Sequence, residues 1–94
     1  MKLSVVIPVY NSSKILEKIS FEINYYLESK FKNNFELILI NDCSIDESWI
    51  IIKKLAIKYN FIKGINLKNN VGQHGAIFIG LLNCKGEKII MMDD

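Results

Sequence analysis

Short apolar runs alternate along the chain with longer stretches in which apolar residues recur every three or four positions. Leu3 to Val9 is continuous, rich in β-branched residues, and closes on Pro8-Val9-Tyr10-Asn11. Such a run reads as a strand, and a proline near its end is tolerated because ladder pairing is finishing there. Ser12 and Ser13 offer N-caps to a first helix whose Ile15, Ile19, Ile23, Tyr26 and Leu27 recur at helical spacing to about Ser29. After the polar connection from Lys30 to Asn34, Phe35 to Ile40 is a second apolar strand and Asn41-Asp42-Cys43-Ser44 a loop. Ser44 with Glu47 three positions on has the form of a capping box. It predicts a second helix buried along Ile51, Ile52, Leu55, Ala56 and Tyr59, with Trp49 off that stripe and available to solvent or a partner. Phe61 to Leu67, interrupted by Gly64, is a weaker strand suited to a sheet edge. A turn at Asn69-Asn70-Val71-Gly72 leads into a third helix, Gln73 to Asn83, that is apolar on most sides and needs cover on more than one face. Lys88 to Met92, a buried-looking apolar run, is the fourth strand, and Asp93 and Asp94 follow it.

The order β-α-β-α-β-α-β predicts a Rossmann-like, three-layer α/β/α fold around a four-stranded parallel sheet. Near-continuous apolar strands fit a sheet covered on both faces. Ninety-four residues make a single domain at most, here residues 1–94. A net charge of +2, carried by twelve scattered lysines and no arginine, shows no basic stripe with interleaved aromatics. No nucleic-acid partner is expected. Cys43 and Cys84 have neither metal-ligand nor redox spacing and read as free thiols of a reducing compartment. No run reaches the roughly 20 apolar residues of a membrane span, and Met1-Lys2 leads straight into a strand rather than a signal peptide.

Candidate chemistry gathers at one rim. Tyr10 and Asn11 follow the first strand, Asp42 the second, Asn69 to Gly72 the third, and Asp93 and Asp94 the fourth, all at carboxyl ends. That is where open α/β sheets bind ligands. Adjacent carboxylates repel each other and repel a phosphate; a divalent cation such as Mg²⁺ or Mn²⁺ removes both conflicts. Other uses of the rim fit less well. The first turn lacks Gly-x-Gly-x-x-Gly and the P-loop. A phospho-acceptor domain needs acidic residues where Tyr10 and Asn11 stand. His74 is the only histidine and no serine sits on a nucleophile elbow; a lone histidine at a helix start is more often solvated.

Four segments in order resemble the family 2 glycosyltransferases with the GT-A fold. They are Ser4-Val5-Val6-Ile7-Pro8-Val9-Tyr10-Asn11, Asn41-Asp42-Cys43-Ser44-Ile45-Asp46-Glu47-Ser48, Asn69-Asn70-Val71-Gly72-Gln73-His74-Gly75-Ala76, and Met92-Asp93-Asp94, which looks like the start of an Asp-x-Asp motif. The Gly-Gln-His wording and the Ser48-Trp49 pair look most like the branch that transfers sugars to polyprenyl phosphates. Four positions depart from the family's pattern: Ser12 replaces Glu, Asn41 replaces Asp, Asn69 replaces Arg, and Cys43 replaces Gly, which denies that turn glycine's freedom at positive φ.

The resemblance implies the N-terminal, nucleotide-binding half of a GT-A fold. Its site would be Pro8, Val9, Tyr10, Asn11, Asp42, Asn70, Gly72, Asp93 and Asp94. Pro8 and Tyr10 would wall a nucleobase pocket, Asp42 would accept from base N–H groups, and Asp93 would be the metal ligand, with Mg²⁺ or Mn²⁺ as cofactor. Partners would be a nucleotide-diphosphate sugar and a polyprenyl phosphate or glycan acceptor, at the cytoplasmic face of a membrane. Exposure of the fourth strand's far edge and part of the third helix would favour a homo-oligomer. The rival class is a non-catalytic nucleotide-binding or regulatory α/β module. No acceptor site or general base is assignable, so the 94-residue chain is expected to bind donor without turning it over. A transfer assay with radiolabelled nucleotide sugar should show no product, and measurable transfer overturns the expectation.

Overall fold

The computed structural model describes residues 1–93. The elements are β1 (Leu3–Val9), α1 (Leu16–Phe31), β2 (Phe35–Asn41), α2 (Ser48–Lys58), β3 (Ile62–Asn66), α3 (Gly72–Leu82) and β4 (Lys88–Met91). All four strands are parallel, in the order β3-β2-β1-β4. Steps from β1 to β2 to β3 run one way across the sheet, whereas β3 to β4 runs back past β2 and β1. With right-handed crossovers this reversal moves the third helix to the opposite face.

The two faces carry separate cores. On one, Leu3, Val5, Ile7, Val9, Phe35, Leu37 and Leu39 meet Leu16 and Ile23 of α1 and Ile52 and Leu55 of α2. On the other, Val6, Ile38 and Ile40 meet Ala76 of α3. Alternate residues of a strand face opposite sides, so β1 and β2, apolar at nearly every position and central in the sheet, are buried along their whole length.

Several sequence expectations shift in register. The α1 seam is Leu16, Ser20 and Ile23, with Ile19, Leu27 and Phe31 packed beside it, and the helix runs on to Phe31. Ile15 and Tyr26 are exposed, because Ile15 is the N-cap and no serine side chain caps the helix. Likewise α2 starts at Ser48 behind Glu47 without a side-chain cap, so the Ser44–Glu47 capping box does not form. Trp49, at the start of α2, is half-buried and packs against the core rather than standing free on the surface. Gly64 makes room for it, since a Cβ there would lie 2.5 Å from Ile52 Cγ2 and 3.1 Å from the Trp49 ring. The break in the apolar pattern of β3 is thus a close approach of helix to strand.

The largest difference is at β4. It is not buried: Ile89, Ile90, Met91 and Met92 are each 41–56% exposed. An edge strand beyond β1 is covered only as far as the helices reach, and these pack over β1, β2 and β3. Phe78, Leu81 and Leu82 of α3 are exposed as well. The expected uncovered edge is present. Cys43 and Cys84 are free thiols, as the sequence suggested.

A polar network at the amino rim had no sequence signature. Glu36, 1% exposed, pairs with Lys63 at 2.7 Å. Its second carboxylate oxygen accepts from the Ser4 hydroxyl at 2.6 Å and the Lys85 N–H at 2.7 Å, while Ser4 Oγ accepts from the Gly86 N–H at 2.8 Å. This ties the turn before β4 to β1 and β2. Burial alone pushes the Glu36 carboxyl up, but the Lys63 ammonium, the Ser4 hydroxyl and the Lys85 N–H together hold it below its ordinary 4.5. A group depressed in the folded state stabilises fully above its unfolded value and loses that contribution as pH falls through the folded one. Urea midpoints should therefore drop as pH falls below about 4.5. Glu36→Gln should cost about 2 kcal/mol at neutral pH and flatten that acid limb; an unchanged limb would rule the network out as its source.

Candidate active site

The strand tips form a cavity of about 440 Å³ lined by Pro8, Val9, Tyr10, Asp42, Asn70, Gly72, Gln73 and Asp93. It lies outside the carboxyl ends of β1 and β4, where the strand order reverses, the expected ligand position in an open α/β sheet. The loops after β1 and β2, the end of β3 and the start of α3 are tied together around it by side-chain hydrogen bonds.

Asp42 is 3% exposed, and both its oxygens are engaged. Oδ1 accepts from the Val71 N–H at 2.7 Å and Oδ2 from the Gly72 N–H at 2.9 Å. These N–H groups belong to the unpaired first turn of α3, so β2 supplies the cap that the helix lacks locally. An ionised carboxylate offers roughly four acceptor positions, which leaves Asp42 capacity toward the cavity. Gly72 has φ +81°, a conformation that costs a side-chain-bearing residue about 1–2 kcal/mol, and Asn70 Oδ1 also accepts its N–H at 3.1 Å. Glycine at this position lets the chain turn into α3 with its N–H groups aimed at Asp42.

The loops after β1 and β2 are stitched together. Ser44 Oγ donates to Asn41 Oδ1 at 2.5 Å and accepts from the Asn11 N–H at 3.0 Å. The Ile45 N–H donates to Asn11 Oδ1 at 2.9 Å, and the Ser12 N–H to Ser48 Oγ at 2.9 Å. Asn41 Nδ2 carries the chain of bonds on to Asn66 Oδ1 at 2.8 Å. Asp46 accepts from the Ser48 N–H at 2.9 Å and from the Ser13 N–H at 3.1 Å. Burial pushes the Asp46 carboxyl up, but the Ser48 and Ser13 donors outweigh it and bring it from 3.8 to about 2. Ser44, which the sequence offers as a helix cap, has its hydroxyl consumed in this junction, while Ser12 and Ser13 enter it through their backbone N–H groups.

Seven of the nine residues named from the sequence therefore meet at one cavity. Asn11 does not line it; at φ +53° it shapes the turn that carries Tyr10. Asp94 lies outside the described residues. His74 is exposed and away from the cavity lining. Gln73, which the sequence did not mark as a site residue, lines the cavity and donates from Nε2 to Asp93 Oδ1; its signals were its place directly after Gly72 and the Gly-Gln-His wording.

Residues 4–94 match the family described as glycosyl transferase family 2. The chain belongs to this family. Among curated relatives, the human dolichyl-phosphate beta-glucosyltransferase is 37% identical over 98 aligned positions, covering 98% of this chain and 30% of the relative. An undecaprenyl-phosphate 4-deoxy-4-formamido-L-arabinose transferase of Pseudomonas fluorescens is 34% identical, covering 96% of this chain and 26% of the relative. The glycosyltransferase chain thus spans about 30% of the length of the relatives it matches. Among solved structures, S. aureus TarS in complex with UDP superposes with a TM-score of 0.77 at 30% identity, over 99% of this chain and 27% of that one. The mannosyltransferase PcManGT from Pyrobaculum calidifontis, in complex with GDP-Man and Mn²⁺, gives 0.83 at 18% identity, over 98% and 27%. The fold is part of the GT-A arrangement.

One family departure is resolved by geometry. Cys43, standing where this glycosyltransferase family has glycine, still adopts φ +58°. The turn keeps its left-handed shape and the cysteine bears the strain. Cys43→Gly should therefore stabilise the fold by about 0.5–1 kcal/mol, the relief of the left-handed penalty less the entropy of glycine. Thermal unfolding should show a midpoint a few degrees higher; a lower midpoint would refute strain at this turn.

Proposed function

We propose that this chain is the donor-binding part of an enzyme that transfers a sugar from a nucleotide-diphosphate sugar to a polyprenyl phosphate, inverting the anomeric carbon. The observation that carries the reading is the convergence of Asp42 and Asp93 on one cavity at the reversal between β1 and β4. The relatives named for dolichyl and undecaprenyl phosphates support the acceptor class, and the UDP and GDP-Man complexes support the donor class.

Pro8, Val9 and Tyr10 wall the base, and the remaining acceptor capacity of Asp42 takes its N–H groups. Asn11 holds the turn that presents Tyr10. Asn70 and Gly72 line the path toward the diphosphate, and Asp93 stands at its far end, with Asp94, outside the described residues, next to it in the sequence. Among the described residues no three His, Cys, Asp or Glu side chains converge on an ion position, and no lysine pairs with Asp93. A carboxylate with a neutral neighbour fits Mg²⁺ or Mn²⁺ in the manner usual for nucleotide sites, where one or two carboxylates hold the ion and phosphate oxygens complete its shell. Such an ion, when bound, neutralises charge developing on the leaving diphosphate. A phosphate acceptor is already anionic, so its attack calls mainly for positioning; an alcohol acceptor would call for a general base. No described helix is long and apolar enough to cross a membrane, and the proposed place of work is the cytoplasmic face of a membrane that supplies the polyprenyl phosphate.

Calorimetric titration with UDP and GDP, with and without Mn²⁺, tests the reading. At least one diphosphate should bind, and Mn²⁺ should tighten it. Asp93→Ala should abolish the metal-dependent gain while leaving metal-free binding, and Asp42→Ala should weaken both. Binding of neither diphosphate, or a full Mn²⁺ gain in Asp93→Ala, overturns it.

A further inference from the structure

Asp93 follows a four-residue edge strand whose side chains are all exposed, and among the described residues the last backbone bond tying this segment to the sheet runs from the Met92 N–H to the Val6 carbonyl at 3.0 Å. The described contact that orients the Asp93 carboxylate is the amide of Gln73, donating from Nε2 to Oδ1 across the cavity mouth. Gln73 sits in the first turn of α3 directly after Gly72, whose N–H is held by Asp42. Adjacent residues of one helical turn thus hold the two carboxylates of the site.

We infer that Gln73 is a positioning residue for Asp93: it aims the carboxylate into the cavity without neutralising it. This inference rests on the reading of Asp93 as the cation ligand. The chemistry of the donor is what carries it. A glutamine amide supplies one directional hydrogen bond and no net charge. The carboxylate is ordered, keeps its full negative charge, and retains its second oxygen for a cation. A lysine at 73 would order it as well, but as a compact positive charge it would occupy the place of the cation. Because Gln73 and Gly72 are consecutive, the cation end and the base end of the cavity are also held in fixed relation through the start of α3.

The test compares wild type with Gln73→Met, which keeps the length and stem but removes the donor, and Gln73→Lys, using the diphosphate (UDP or GDP) that shows the larger Mn²⁺ gain. Gln73→Met should lose about fivefold to tenfold of the Mn²⁺-dependent gain, as expected for one hydrogen bond to a charged group. Its unliganded thermal midpoint should not move, because Gln73 is exposed, and any change in metal-free diphosphate affinity should be smaller than the loss of Mn²⁺ gain. Gln73→Lys should bind the diphosphate more tightly without metal and show a reduced Mn²⁺ gain. An undiminished gain in Gln73→Met, or a full gain in Gln73→Lys, overturns the positioning role while the cation reading stands. Absence of any Mn²⁺ gain in wild type overturns the cation reading, and this inference with it.

Discussion

The single constraint behind the site is the reversal of strand order between β3 and β4. Because the chain returns past β2 and β1 to place β4 on the far side of β1, α3 must cross the opposite face from α1 and α2. A cleft opens between the tips of β1 and β4, and the first turn of α3 is delivered beside it. Were β4 to continue outward from β3, Asp93 would lie at the far edge of the sheet, separated from Pro8 and Tyr10 by two strands.

The two rims of the sheet handle charge in opposite ways. At the amino rim, Glu36 is buried and fully partnered by Lys63, Ser4 and the Lys85 backbone, an arrangement that closes the turn before β4 and leaves nothing for a ligand. At the carboxyl rim, Asp42 is buried against the start of α3, while Asp93 is exposed and touched by a neutral amide. Membership of the family 2 glycosyltransferases gives this asymmetry a purpose. One end of the sheet is sealed, and the other keeps an uncompensated carboxylate where a donor diphosphate and its cation are proposed to sit.

Element types and their order were legible because burial imposes its own periodicity. Leu3 to Val9 and Phe35 to Ile40 are continuous apolar runs because central parallel strands are covered on both faces. The errors came from residues with two uses. Ser44 has the chemistry of a helix cap, and equally of a loop cross-link; only the approach of the β1 and β2 loops decides for the second. Trp49 seemed off its helix stripe because the space above Gly64 is made by a neighbouring strand. Lys88 to Met92 looked buried because an apolar run does not state whether a partner element lies over it. At the site, Asp42 and Asp93 could be named from their places after strands. Gln73 could not, since its contact spans twenty residues.

The amino-acid sequence by itself determined which segments are strands and helices, that the sheet is parallel, and that its candidate ligand-binding residues share one rim. These follow from hydrophobic period and from the fixed polarity of a βαβ unit, both local or nearly so. Only the tertiary structure decided which strand lies beside which, that Asp42 is spent on capping α3, that Glu36 is sealed by Lys63, and that Gln73 reaches Asp93. Those are pairings between groups far apart in the chain, and they are set by how layers pack, which no local pattern encodes.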